Sequence, residues 1–221
     1  MTTPKNARRR TKAMSPAIKA TGIVTNEADP QSWLFLNPMR EIAMPAGMVF
    51  GNLRKSYGLR INSAVEFGRR KLQPVAPVGD AHAVPWPMTA ERHDVVLPEH
   101  ADDTLAEPRA LLAAMDATAI DKTLLVYVTL SFPHATRVHQ AFEAARAFAG
   151  KLARERNLAS LLVLHAPGRV GSANPPHCHL LIGPRAIGPL GMEHGVYDTD
   201  LCHDRGQKLI VELWKEFEED G

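Results

Sequence analysis

Apolar and polar side chains alternate most regularly in the second half of the chain. Over residues 123–132, Leu124, Val126, Val128, Leu130 and Phe132 alternate with Leu125, Tyr127, Thr129 and Ser131, the two-residue period of a strand. One face of that strand is wholly apolar, and the other grows polar toward its C-terminal end. Over residues 136–156, Val138, Phe142, Ala145, Phe148, Ala149 and Leu152 fall on one stripe at helical spacing. Two short apolar runs come next, Leu161-Leu162-Val163-Leu164-His165 and His177-Cys178-His179-Leu180-Leu181-Ile182. They read as strands joined by a loop of Gly, Ser, Asn and Pro. Residues 208–218 predict a closing helix that buries Leu209, Leu213, Trp214 and Phe217.

Earlier in the chain the pattern is weaker. Residues 107–115 predict a helix with Pro108 in its first turn. Residues 63–72 predict a shorter one, capped by Ser63 with Glu66 three residues on. Residues 33–50 are apolar but broken by Pro38 and Pro45, and they predict no single element. Four prolines between residues 73 and 88 mark a linker. The expected division is a disordered basic arm over 1–30, an N-terminal segment and Pro-rich linker over 31–90, and the recognisable domain over 91–221.

The order strand, long helix, strand, strand, helix predicts an α+β fold. Its sheet is rich in antiparallel pairs, its helices pack on one face, and the other face is left to carry a site. Charge is spread unevenly over this frame. Residues 1–72 hold thirteen Lys and Arg against four Asp and Glu, or +9, so the remainder carries −7 for the overall +2. A basic arm suits a polyanion such as nucleic acid, and it equally suits a solvated tail. Only Cys178 and Cys202 occur, which points to a reducing cytoplasm. No apolar run is long enough for a membrane span.

The chemistry gathers on histidines. His177 and His179, two apart on a strand, share a face, and His165 ends the neighbouring strand. Polar rings on a face that should be apolar point to a metal site with open coordination positions. Cys178 points the other way and reads as core. His82, His93, His100, His134 and His139 show no pattern and read as surface or loop residues. Three neutral ligands leave an ion's full charge for a substrate anion, which favours phosphodiester chemistry.

At these residues the chain resembles the HUH single-strand endonucleases, most closely the MobA/MobL-type mobilisation relaxases. The resemblance is carried by Leu164-His165 and by Asn174-Pro175-Pro176-His177-Cys178-His179-Leu180-Leu181-Ile182-Gly183-Pro184-Arg185, followed by Gly188-Pro189-Leu190-Gly191 and a helix with Trp214. One extra proline separates Asn174 from His177. The resemblance implies a ferredoxin/RRM-like HUH core and Mn²⁺ or Mg²⁺ held by His165, His177 and His179. It also implies nicking and transfer of single-stranded DNA at a plasmid or mobile-element origin of transfer, through a phosphotyrosine and alongside relaxosome accessory proteins.

The family's nucleophile often lies on a helix beginning Ser-Ala-Val. Ser63-Ala64-Val65 is present here, but no tyrosine follows it before Leu72. Three tyrosines occur in all. Tyr57 stands among Arg54, Lys55 and Arg60, a setting suited to a DNA strand. Tyr197 follows the metal strand, as in replication initiators and transposases, and Tyr127 reads as packing. Tyr57 and Tyr197 are therefore the candidate nucleophiles, and Arg54, Lys55, Arg60 and Arg185 the candidate DNA contacts. The alternatives are a catalytically degenerate relaxase-like DNA-binding protein, an initiator- or transposase-type HUH nuclease, and a three-histidine metallohydrolase.

Overall fold

The structure, a computed structural model, describes residues 25–76, 86–119 and 122–220. The basic arm expected over 1–30 lies, through residue 24, outside the described residues, as do His82 and the middle of the linker. The elements in chain order begin with β1 (Phe35–Leu36), β2 (Met48–Arg54), β3 (Ser56–Tyr57), β4 (Arg60–Ile61) and helix α1 (Ala64–Leu72). Next come β5 (Arg92–Val96), α2 (Pro108–Ala117), β6 (Thr123–Ser131), α3 (Val138–Arg156), β7 (Leu158–His165) and β8 (His177–Ala186). Helices α4 (Thr199–Cys202) and α5 (Gly206–Asp220) close the fold.

Six strands form one sheet of an α+β fold in the order β1-β2-β6-β8-β7-β5, and every neighbouring pair is antiparallel. Strands β6 and β7 flank β8 and so run parallel to each other, as the crossover through α3 requires. Helices α3 and α5 pack on one face through Phe142, Phe148, Leu152, Ile210 and Trp214, against Val126, Val128, Leu180 and Ile182. Trp214 meets Phe148 edge-on at 5.0 Å between ring centroids, a favourable aromatic geometry.

The opposite face was expected to be free, but it is partly covered. Phe67 of α1 and Leu111, Leu112 and Met115 of α2 bury against Leu125, Tyr127, Leu161 and Leu181. Helices α1 and α2 lock together through a shared cap. Asp116, near the end of α2, accepts from the Ala64 amide at 2.6 Å, the Val65 amide at 3.2 Å and the Ser63 hydroxyl at 2.6 Å. Ser63 in turn accepts from the Glu66 amide, so the predicted N-cap is in place. Gly68 lets the helices approach: a Cβ there would run into the Leu112 side chain.

Two strands escape the sequence pattern. β2 pairs with β6 along seven residues and is buried on both faces, so its Met48, Phe50, Gly51, Asn52 and Leu53 show no alternation. β5, Arg-His-Asp-Val-Val, is an edge strand with little apolar content. The segment set apart from the domain at residue 90 thus supplies β1, β2 and α1 to the same sheet and core. Among the described residues, no helix is long and apolar enough to cross a membrane.

Candidate metal centre

Sheet register brings the three histidines together. His165 and His177 are direct cross-strand partners on β7 and β8, and His179 pairs with Thr129 of β6 on its other side. All three side chains rise from the face that α1 and α2 cover, just beyond the edge of that cover. Ring centroids stand 5.4 Å apart for His165–His177, 4.5 Å for His165–His179 and 4.9 Å for His177–His179. One nitrogen from each lies within 4.8 Å of the others.

The far nitrogen of each ring has a hydrogen-bond partner, and for His165 and His177 that partner decides where the proton sits. His165 Nε2 donates to the Lys71 carbonyl at 2.7 Å, and His177 Nδ1 donates to the Pro175 carbonyl at 3.0 Å. A carbonyl only accepts, so the lone pairs belong to His165 Nδ1 and His177 Nε2. His179 Nδ1 meets the Tyr127 hydroxyl at 2.8 Å and the Thr129 hydroxyl at 3.1 Å, which turns its Nε2 toward His165 Nδ1 at 3.2 Å. Three nitrogens therefore converge, each ring held from behind by a hydrogen bond, as metal-ligating imidazoles are. The donor set fits a divalent transition ion.

Electrostatics keep the rings neutral. Burial pushes the His165 pKa down to about 4, partly opposed by its hydrogen bond to Lys71, while the charges of His177 and Lys71 lower it further. Burial likewise lowers His177, and it holds His179 well below the ordinary imidazole range. Neutral imidazoles need no deprotonation before taking a metal. Burial raises the buried Tyr127 phenol and pushes the Cys178 thiol up to about 12. Cys178 lies on the α3 side of the sheet, as its place between the two histidines implies.

The cluster opens into a cavity of about 570 Å³, lined on the far side by Asp29, Gln31 and the last turn of α1. Arg69, Arg70 and Lys71 come from that turn, so the cations beside the histidines differ from those singled out by sequence. Arg54 pairs with Asp204 at 3.0 Å, and Arg60 pairs with Glu66 at 2.9 Å and lies over the Trp33 ring. The Lys55 amide and carbonyl bond to Lys122 and Asn62. In the sheet register it is Val49 that faces Thr129, so Arg54 lies five residues, about 17 Å, along the strand from the His179 row. Tyr57 lies farther on in the β3–β4 hairpin, its ring 6.1 Å from Phe35.

Arg185 and Tyr197 are also remote. Arg185 lies six residues beyond His179 on β8, about 20 Å away, and is 5% exposed. Its guanidinium donates to the carbonyls of Glu193 and Gly195, so it holds a loop and is not presented to a strand of DNA. Tyr197 bridges to Arg185 and packs against the core on the α3 and α5 side. Tyr127 does reach the cluster, stacked on His179 at 5.4 Å, but it is fully buried behind the ring. The run Arg69-Arg70-Lys71 was visible in sequence. Only the bond from His165 to the Lys71 carbonyl shows that it ends at the histidines.

No known family matches the chain, and no curated protein matches it. A solved structure from work on the molecular basis of vancomycin resistance transfer in Staphylococcus aureus aligns with 61% of this chain and 73% of its own. The identity is 20% and the TM-score 0.44, a likeness too slight to bear on function.

Proposed function

We propose that this chain is a relaxase-like protein that uses His165, His177 and His179 to bind a divalent metal and engages a phosphodiester of single-stranded DNA. The setting we infer is the mobilisation of a plasmid or mobile element, with relaxosome proteins as partners and the cytoplasm as location. One observation carries the reading: three imidazole nitrogens converge at the mouth of a cationic cavity, each ring fixed from behind. The sequence around those residues, Asn174-Pro175-Pro176-His177-Cys178-His179, resembles the relaxase segment.

A divalent ion there would polarise a non-bridging phosphate oxygen and orient the phosphodiester. The protein's own part is to hold the three rings neutral and aimed, and to supply cationic side chains beside them. An all-nitrogen donor set suits a transition ion better than Mg²⁺, which prefers oxygen ligands.

Two forms of this activity are open: nicking through a phosphotyrosine, and binding without a covalent step. The second is favoured by one observation. Tyr57 packs on Phe35 of the edge strand β1, Tyr197 bridges to Arg185 near the other end of β8, and the Tyr127 hydroxyl is turned to His179 Nδ1. The test incubates the full chain with labelled single-stranded oligonucleotides and Mn²⁺. Binding that chelation abolishes, with no SDS-resistant adduct, is the expected result. An adduct would establish nicking, and Tyr57→Phe and Tyr197→Phe would then identify the nucleophile. No metal-dependent binding would overturn the whole reading.

A further inference from the structure

Lys71 is 6% exposed and yet forms no ion pair among the described residues. Its ammonium lies 4.9 Å from the centre of the Tyr127 ring and 5.4 Å from that of Phe67. Tyr127 stacks on His179, so this places the charge beside the metal cluster, and its field acts on all three imidazoles. Asp29 acts on this ammonium through its charge, but no hydrogen bond among the described residues uses the ammonium's donors. Beside it, Arg70 lines the same cavity, and its Nε is fully buried with no hydrogen-bond partner among the described residues. Buried donors of this kind call for an acceptor. Among the described residues, the one carboxylate lining the cavity is Asp29, which accepts from the Gln31 amide, leaving three cations against one anion.

We propose that Lys71 and Arg70 form an oxyanion subsite for one phosphate group, adjacent to the three-histidine cluster and opening on the same cavity. The inference rests on the proposed phosphodiester site and names the residues that grip its ligand. Lys71 serves twice. Its carbonyl orients His165, and its ammonium, carried in over Phe67 and Tyr127, faces the phosphate. Arg70 adds a planar donor suited to phosphate oxygens. In relation to the metal, Lys71 is repulsive, because two cations share one small volume. The phosphate offsets that repulsion by bridging them, so each charge favours the ligand while opposing the other.

This arrangement makes two effects of opposite sign, which a merely structural lysine would not produce. Mn²⁺ affinity is read by titration calorimetry, and binding of a fluorescein-labelled ten-nucleotide oligothymidylate by anisotropy in saturating Mn²⁺ at several salt concentrations. Lys71→Met should bind Mn²⁺ about tenfold more tightly, because a like charge is removed. The same variant should bind the oligonucleotide at least ~10-fold more weakly. The slope of log affinity against log salt should fall by about 0.7 for the lost contact. Lys71→Arg should keep most of the oligonucleotide affinity. Arg70→Met should lose oligonucleotide affinity and salt slope with Mn²⁺ affinity unchanged, and it carries the test if Lys71→Met does not fold. An unchanged oligonucleotide affinity and slope in both variants would overturn the subsite, as would Mn²⁺ binding weakened by Lys71→Met. Failure of the wild-type chain to bind Mn²⁺ would instead overturn the metal site itself.

Discussion

Tyr127 shows how much one hydroxyl decides. Its O–H sits 2.8 Å from His179 Nδ1 in a fully buried position, with Thr129 as a second partner at 3.1 Å. Tyr127→Phe leaves the packing volume intact and removes that partner. Divalent metal affinity should fall ~10-fold or more, and stability by about 1 kcal/mol. Calorimetry with Mn²⁺ and a urea melt check the two. A variant with wild-type metal affinity would show that Thr129 alone fixes the ring. The histidines also give stability a defined pH dependence. Their folded pKa values lie below the ordinary 6.5, His165 at about 4, so between those values the unfolded chain binds more protons than the folded one. Stability of the metal-free protein is therefore full above about pH 6.5 and is lost progressively as pH falls toward 4. Denaturant melts across that range measure it, and His165→Asn should flatten the curve.

Helix α1 is the element that joins fold to site. Its N-terminus is capped by Ser63 and by Asp116 from α2, and its last turn delivers the Lys71 carbonyl to His165. Asp116→Ala leaves the Ala64 amide and the Ser63 hydroxyl without their partner, so a loss of about 1–2 kcal/mol is expected in a denaturant melt. Gly68→Ala separates two physical effects. Helix propensity alone would add about 1 kcal/mol of stability. The contact with Leu112 reverses the sign, and a loss of about 1–3 kcal/mol is expected. A stabilised Gly68→Ala would mean that the α1–α2 contact yields easily. That glycine weakens the sequence signal for α1, since its reason is a neighbour on α2, far along the chain.

At the scale of the molecule, legibility followed local hydrophobic periodicity and not burial alone, since β2 and β6 are both buried on two faces. Strands β6, β7 and β8 and helices α3 and α5 carry their own periodicity, and all stand in or over the centre of the sheet. β2 shows no alternation, while β5 takes its place from pairing with β7. The histidines were legible because alternation and strand order alone put them on one face. Arg185, Tyr197 and Tyr57 were chosen by spacing from a motif or by neighbouring charge. Neither says which end of a strand a residue occupies: the sheet register sets Arg185 and Tyr197 apart from the cluster, and Tyr57 stands in the separate β3–β4 hairpin against Phe35. Lys71 and Arg70 entered only through tertiary contact.

The central claim is that three imidazoles from two strands hold one divalent ion. The most direct measurement is a Mn²⁺ titration of the metal-free full chain followed by electron paramagnetic resonance, run in parallel on His177→Ala. His177 is half-buried at the start of β8, so the fold should tolerate its loss. One bound ion per chain with nitrogen hyperfine coupling is expected, with affinity reduced by roughly 100-fold in the variant. Absence of a bound ion, or equal binding by both proteins, would contradict the three-histidine site.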